Sequence, residues 1–125
     1  MNIVKRILVF DDDPGVFDIL RYILEEKGWE VISSDHCNDV VGKVEKFKPS
    51  IIMMDNNIPN AGGIVATQTI KKHQELKHIP VIFFTGSENV KSLAKQAGAD
   101  AWLAKPFGIE NLYEVIEKLL PSLEA

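Results

Sequence analysis

Five short apolar runs, each followed by an amphipathic segment, constrain the fold of this chain more than any other feature. The runs have the length of strands and lie at residues 6–10, 29–32, 51–54, 80–84 and 101–104. Apolar residues repeat at helical spacing in the segments that follow them, at residues 14–27, 39–47, 64–76, 88–97 and 109–120. This alternation is typical of a parallel sheet covered by helices on both faces. Since crossovers are right-handed, we predict an α/β fold with a doubly wound sheet in the order 2-1-3-4-5 and five helices.

Polar residues stand directly after four of the five runs. Asp11 and Asp12 follow the first run, Asp55 the third, Thr85 the fourth and Lys105 the fifth. The carboxyl ends of parallel strands meet at one edge, and strands one and three are neighbours in the predicted order, so the three carboxylates should converge. Close carboxylates raise one another's pKa and require a compensating cation. Because their ligands are all oxygens, we predict a Mg²⁺ site.

This group of side chains suits the transfer of a phosphoryl group to a carboxylate. A nucleophilic Asp forms an acyl phosphate, and a cation with a lysine stabilises charge on the transferring oxygens. The Thr85 hydroxyl can donate to an oxyanion. Taken singly, each residue has a plainer interpretation: a helix cap or solvated turn for the acids, a β-former for Thr85 and a turn for Lys105. The placement of complementary groups on four strand ends favours the functional interpretation.

Four segments resemble the receiver domain of two-component response regulators. Order, spacing and strand context agree for residues 7–14 (ILVFDDDP), 55–63 (DNNIPNAGG), 80–86 (PVIFFTG) and 98–107 (GADAWLAKPF). The resemblance covers essentially the whole chain. It implies one receiver domain over residues 1–125, with the three-layer sandwich of the flavodoxin-like fold.

The resemblance implies a role for each matching residue of the site. Asp55 would be the phosphoacceptor. Asp12 would bind Mg²⁺ directly, Asp11 largely through water, and the backbone carbonyl of Asn57 would be the third protein ligand. Lys105 would pair with the phosphoryl group.

The same resemblance implies a switch beside the site. Thr85 would supply the switch hydroxyl, and the peptide bond before Pro106 would be cis. Trp102 stands where the family places its switch aromatic, although it is larger than the usual Tyr or Phe. A packing residue on an edge strand is the alternative for Trp102. The pair Gly62-Gly63 departs from the usual acidic-Gly pair and predicts a more mobile loop.

The implied function is that of a signalling domain, with no enzymatic activity beyond phosphoryl transfer to itself and autodephosphorylation. The phosphoryl group would come from a histidine kinase or a histidine phosphotransfer protein. A downstream protein partner would bind helix four, strand five and helix five. Whether the domain stands alone or belongs to a longer protein stays open, as does a phosphorylation-dependent homodimer.

Two other functions compete with this one. A phosphatase of the haloacid dehalogenase type also uses Asp, Thr, Lys and Mg²⁺, but its nucleophile opens an Asp-x-Asp motif after the first strand. Residues 11–13 imitate that motif, yet Pro14-Gly15 lacks the expected Thr, and the chain has no room for a substrate cap. A degenerate receiver, used only for protein contacts, is disfavoured because unused charge clusters destabilise a fold.

Composition excludes several other classes. The net charge of −4 disfavours direct nucleic-acid binding, and Lys43, Lys46 and Lys48 are interpreted as a solvated helix face. The single cysteine, Cys37, forms no intramolecular disulfide or zinc site and fits a reducing cytosol. No apolar run approaches the ~20 residues of a membrane span, and the first residues lack the layout of a signal peptide. We therefore predict a cytoplasmic protein with no membrane association.

Overall fold

A computed structural model describes residues 5–59 and 62–124. Strands and helices alternate throughout these residues, with five of each. In chain order they are β1 (Arg6–Phe10), α1 (Pro14–Glu25), β2 (Glu30–Ser34), α2 (Val40–Phe47), β3 (Ile51–Asp55), α3 (Gly63–Lys72), β4 (Val81–Thr85), α4 (Val90–Ala97), β5 (Ala101–Ala104) and α5 (Ile109–Glu124). Among the described helices, none combines the length and the apolar character that crossing a bilayer requires.

The five strands form one parallel sheet in the order β2-β1-β3-β4-β5, which confirms the predicted topology. β3 lies at the centre, is paired on both sides and is buried along its whole length. Phe10 at the end of β1 is aligned with Met54 of β3. The next residues, Asp11 and Asp55, therefore emerge side by side at the carboxyl edge of the sheet.

Successive side chains of a strand point to opposite faces, and the two faces of this sheet are buried in separate cores. On one face, Leu8, Ile52 and Phe83 pack with residues of α2, α3 and α4. On the other, Val9 and Met53 pack with residues of α1 and α5. Helices on both sides of a buried sheet give the predicted three layers.

Helix and strand ends follow the predicted signals in some places and depart from them in others. Asp13 caps α1, accepting a hydrogen bond from Gly15 N–H at 2.9 Å, and the helix begins at Pro14, where the predicted segment begins. Trp29 is buried but precedes β2, which begins one residue later than the predicted run and extends to Ser34. The predicted start was wrong because an apolar residue next to a strand can reach the core without joining the ladder.

The predicted ends of α3 and α5 were wrong in opposite directions. α3 ends at Lys72 and not at residue 76, because the backbone leaves the helical conformation at His73 and continues as turns. Leu76 reaches the core from one of those turns, which explains its apolar signal. α5 continues past Pro121 to Glu124. A proline removes one helical hydrogen bond, and at an exposed position water can satisfy the freed carbonyl.

Candidate functional site

Three carboxylates converge at the carboxyl edge of the sheet, as their strand ends predicted. One oxygen each of Asp11, Asp12 and Asp55 lies within 4.8 Å of the others. Asp11 and Asp55 are both only 5% exposed, whereas Asp12 is exposed. Asp11 is held in place because its Oδ1 accepts the Asp13 N–H at 2.9 Å. Two buried carboxylates and one exposed carboxylate therefore lie close enough together to bind one ion.

Lys105 lies against this acidic group from the β5 side. Its Nζ is 2.7 Å from Asp11 Oδ2 and 3.3 Å from Asp55 Oδ1, and it also lies 4.6 Å from the centre of the Phe84 ring. The Lys105 backbone N–H donates to the Thr85 carbonyl at 2.9 Å, which fixes the start of the loop after β5. The Lys105–Pro106 peptide bond is cis. One ammonium group thus bridges the two buried carboxylates.

The environment shifts the pKa of both Asp55 and Lys105 upward. Burial raises the pKa of Asp55; the nearby Lys105 ammonium opposes this shift, and the charges of Asp11 and Asp12 reinforce it. Burial alone would lower the pKa of Lys105, but its hydrogen bond to Asp11 and the charges of Asp55 and Asp11 outweigh that effect and raise it. Lys105 therefore stays a cation at neutral pH beside a carboxylate that is costly to ionise.

The charges and donor atoms of the site fit a hard divalent cation. Three carboxylates face one ammonium group, so the group carries an excess of two negative charges when all are ionised. Every candidate ligand is a carboxylate or carbonyl oxygen, the donor type that Mg²⁺ prefers. The exposed Asp12 leaves the site open to solvent, as a cation that retains water ligands requires. Asn57 is exposed in the turn that follows β3.

Close packing of α3 against the end of β3 explains why glycine is required at position 63. The Gly63 N–H donates to the Asn56 carbonyl at 3.0 Å. A Cβ on Gly63 would overlap the backbone of Asp55 and Asn56, so a side chain is excluded there. Gly62 has φ +81°, a conformation that favours glycine. Glycine in place of the usual acidic residue at position 62 therefore suits the local backbone conformation.

Thr85 and Trp102 occupy different environments near the site. Thr85 is 1% exposed at the end of β4, and its Oγ1 accepts the Ser87 N–H at 3.3 Å. Trp102 on the edge strand β5 is 42% exposed, and Lys91 Nζ of α4 lies 5.7 Å from its ring centre. The hydroxyl is therefore internal, whereas the indole contributes to the outer surface.

Two features beside the site were missed from the sequence. An apolar cavity of about 310 Å³ is lined by Val16, Ile19, Lys105, Pro106 and Phe107. A second cavity, of about 700 Å³, places Asp11 and Asp12 in the same wall as side chains of the β2–α2 region. Both depend on contacts between distant segments, and no motif in the sequence marks them.

A doubly wound parallel sheet with buried acids and a lysine at its carboxyl edge defines a class of α/β domains that bind a ligand at that edge. A family model of the response regulator receiver domain matches residues 7–117. The chain therefore belongs to the response regulator receiver domain family of two-component systems.

Similar proteins agree with this assignment. The chain is 34% identical to Protein PilH of Pseudomonas aeruginosa over 119 residues, which cover 94% of this chain and 98% of PilH. It is 33% identical over 105 residues to the CAI-1 autoinducer sensor kinase/phosphatase CqsS of Vibrio cholerae, covering 82% of this chain but only 15% of CqsS. A CheY-like receiver domain protein from Methanospirillum hungatei superposes with a TM-score of 0.84 at 29% identity, with 97% of each chain covered.

Proposed function

We propose that this receiver domain accepts a phosphoryl group on Asp55 from a histidine kinase or a histidine phosphotransfer protein, in a Mg²⁺-dependent reaction. The observation that carries the proposal is the position of the Asp55 carboxylate. It is buried at the end of the central strand, 3.3 Å from Lys105 Nζ and within 4.8 Å of oxygens of Asp11 and Asp12. Those neighbours are the groups that transfer to a carboxylate requires.

The chain's own residues account for the transfer step. An oxygen of Asp55 attacks phosphorus, and the P–N bond to the donor imidazole breaks. The bonding electron pair stays on that nitrogen, and the ring, which carries a proton on its other nitrogen, departs as neutral imidazole. Lys105 Nζ, now shared between Asp55 and Asp11, can pair with a phosphoryl oxygen while keeping its shorter contact to Asp11. The raised pKa of Lys105 keeps this group charged throughout. Burial supplies a low dielectric, in which these contacts act more strongly than in water.

The cation would be held by Asp12, by Asp11 largely through water, and by the backbone carbonyl of Asn57. When bound, Mg²⁺ supplies the positive charge that neutralises the transferring oxygens. The excess of two negative charges around Lys105 supports this part of the proposal. Because Asp12 is exposed, its side chain can adjust to an entering ion.

Phosphorylation of Asp55 would change the conformation of the surface formed by α4, β5 and α5, which we propose as the binding site of the downstream partner. An aspartyl phosphate carries about two negative charges near neutral pH, by analogy with other phosphorylated side chains. The Thr85 hydroxyl would turn to donate to it, which would release the 3.3 Å contact with Ser87 and move the start of the β4–α4 loop. Trp102 and its contact with Lys91 then report the change at the surface.

The proposal is tested by incubating the protein with Mg²⁺ and acetyl phosphate and measuring the intact mass. We expect the gain of one phosphoryl group in the wild type, none in Asp55→Asn, and an undiminished gain in Asp13→Asn, whose carboxylate only caps α1. A phosphatase with its nucleophile in the first turn would still be labelled in Asp55→Asn. A module used only for protein contacts would show no gain in the wild type.

A further inference from the structure

One lysine of α2 stabilises the turn between β2 and α2, residues 35–39, by contacts to the turn and to the last residue of β2. Lys43 Nζ lies 2.9 Å from Ser34 Oγ, 2.9 Å from the His36 carbonyl oxygen and 2.7 Å from His36 Nδ1. Ser34 Oγ in turn donates to the His36 carbonyl at 2.7 Å. The prediction of a solvated helix face was therefore wrong for Lys43, whose ammonium group is partly buried and donates to two oxygen acceptors, although Lys46 is exposed.

The His36 ring packs against the same ammonium group. Lys43 Nζ lies 2.7 Å from Nδ1 and 3.4 Å from Nε2, and Nδ1 also accepts the Asn38 N–H at 3.2 Å. The ring therefore helps to enclose the Lys43 ammonium, while Ser34 Oγ and the His36 carbonyl oxygen accept its hydrogen bonds.

The same turn contacts the β1–α1 and β3–α3 loops, which carry Asp11, Asp12 and Asn57 of the proposed Mg²⁺ site. The Ser34 carbonyl accepts the Asp11 N–H at 3.1 Å. On the other side, the Cys37 N–H donates to the Pro59 carbonyl at 3.1 Å, and Cys37 Sγ lies 3.1 Å from the same oxygen. Pro59 follows Asn57 by two residues, in the loop that follows Asp55. The β2–α2 turn and the end of β2 therefore make hydrogen bonds to both the β1–α1 loop and the β3–α3 loop.

We propose that Lys43 is a positioning residue: its hydrogen bonds to Ser34 Oγ and the His36 carbonyl fix the β2–α2 turn, and this turn holds the β1–α1 and β3–α3 loops in place. The inference rests on the proposed function only in naming Mg²⁺ as the ion that benefits.

Charged groups surround the Lys43 ammonium on several elements. Burial lowers the pKa of Lys43, and the charges of Cys37, Asp35 and Asp39 oppose this shift. The remaining charged groups line the adjoining cavity: Asp11, Asp12 and Lys46.

The first test uses the metal-free protein and NMR amide exchange. In Lys43→Met we expect the Asp11 and Cys37 amides to exchange about five- to tenfold faster, the effect of losing one or two hydrogen bonds. Lys43→Arg, which keeps the charge and donors, should largely restore protection. Lys46→Met, on the same helix and cavity wall, should leave it unchanged. Unchanged exchange in Lys43→Met overturns the proposal.

A Mg²⁺ titration then tests the consequence for the site. We expect affinity to fall about threefold or more in Lys43→Met and to be unchanged in Lys46→Met, since loosened ligands bind less well. Faster amide exchange with unchanged Mg²⁺ affinity in Lys43→Met would give Lys43 a purely structural role and overturn the positioning claim. Failure of the wild type to bind Mg²⁺ would overturn the proposed function instead, while amide exchange still decides the inference.

Discussion

Replacing Asp55 by Asn should stabilise the metal-free protein, although it removes the proposed phosphoacceptor. The carboxylate is 5% exposed, and burial is the main reason that its pKa is raised. A raised carboxyl pKa means that the ionised form is less favourable in the folded chain than in the unfolded chain. Asn keeps nearly the same volume and an oxygen that can face Lys105, but carries no charge to bury.

The size of the effect follows from distances in the site. Lys105 at 3.3 Å attracts the carboxylate by about 5 kcal/mol at an effective dielectric of ~20. Asp11 and Asp12, within 4.8 Å, repel it by about 3.5 kcal/mol or more each on the same basis, and water reduces the repulsion from exposed Asp12. These contributions nearly cancel, so the desolvation of a buried ion decides the sign. We expect a gain of about 1–2 kcal/mol, or roughly 3–8 °C in Tm.

The gain should depend on pH in a defined direction. The folded chain holds Asp55 with a raised pKa, so ionisation destabilises it, and this penalty is complete only above the folded-state value. As the pH falls below the ordinary Asp pKa of ~3.9, both states bind the proton and the penalty disappears. Variant and wild type should therefore converge in stability at the acid end and differ most at neutral pH.

Urea unfolding in EDTA, followed by far-UV circular dichroism, measures the difference. Asp12→Asn is the matched control, since an exposed carboxylate should change stability by less than about half as much. A ligand that binds only the folded state adds to its stability. Excess Mg²⁺ should therefore stabilise the wild type more than Asp55→Asn, because the variant lacks one of the three carboxylates that attract the ion. An Asn variant that is less stable than the wild type in EDTA at neutral pH would refute the reasoning.

Three further predictions concern other parts of the site. Lys105→Met should destabilise by about 3 kcal/mol, because it leaves two buried carboxylates without their cation, while exposed Lys95→Met stays within about 0.5 kcal/mol in urea unfolding. The raised pKa of Lys105 predicts that the wild type loses this stabilisation only as the pH rises through that folded-state value, above the ordinary ~10.4. Gly63→Ala should cost about 2 kcal/mol or more by backbone overlap, whereas Gly108→Ala, with open space around its Cβ, should be nearly neutral in the same assay. Trp102→Ala should cost at most about 1 kcal/mol but abolish any fluorescence response to beryllofluoride and Mg²⁺; a response that persists would assign it to buried Trp29.

The parts of the fold that the sequence predicted are those that depend on local pattern and strand topology. Uninterrupted apolar runs such as residues 51–54 are buried on both faces and leave little choice but a central parallel strand. Once the order is known, alignment of Phe10 with Met54 brings Asp11 beside Asp55. The convergence of the acids could therefore be predicted without side-chain coordinates.

The parts that the sequence did not predict depend on tertiary contacts. The spacing of Lys43 and Lys46 suggested one solvated face, yet only Lys43 meets a turn that leaves an edge strand. Leu76 carries an apolar signal that suits a longer helix, but a turn brings it to the core. In both cases the same residue type is compatible with two local structures, and packing against a distant segment decides between them.

The central position of β3 restricts where a receiver of this shape can move. Its backbone is hydrogen-bonded to a neighbour on each side and buried along its whole length, so the residue at its end has little freedom to move when charge is added there. β5 lies at the edge of the sheet and is exposed along part of its length, so we expect the loops that lead to it to take up the change. The strand order thus separates the well-packed position of Asp55 from a more exposed edge.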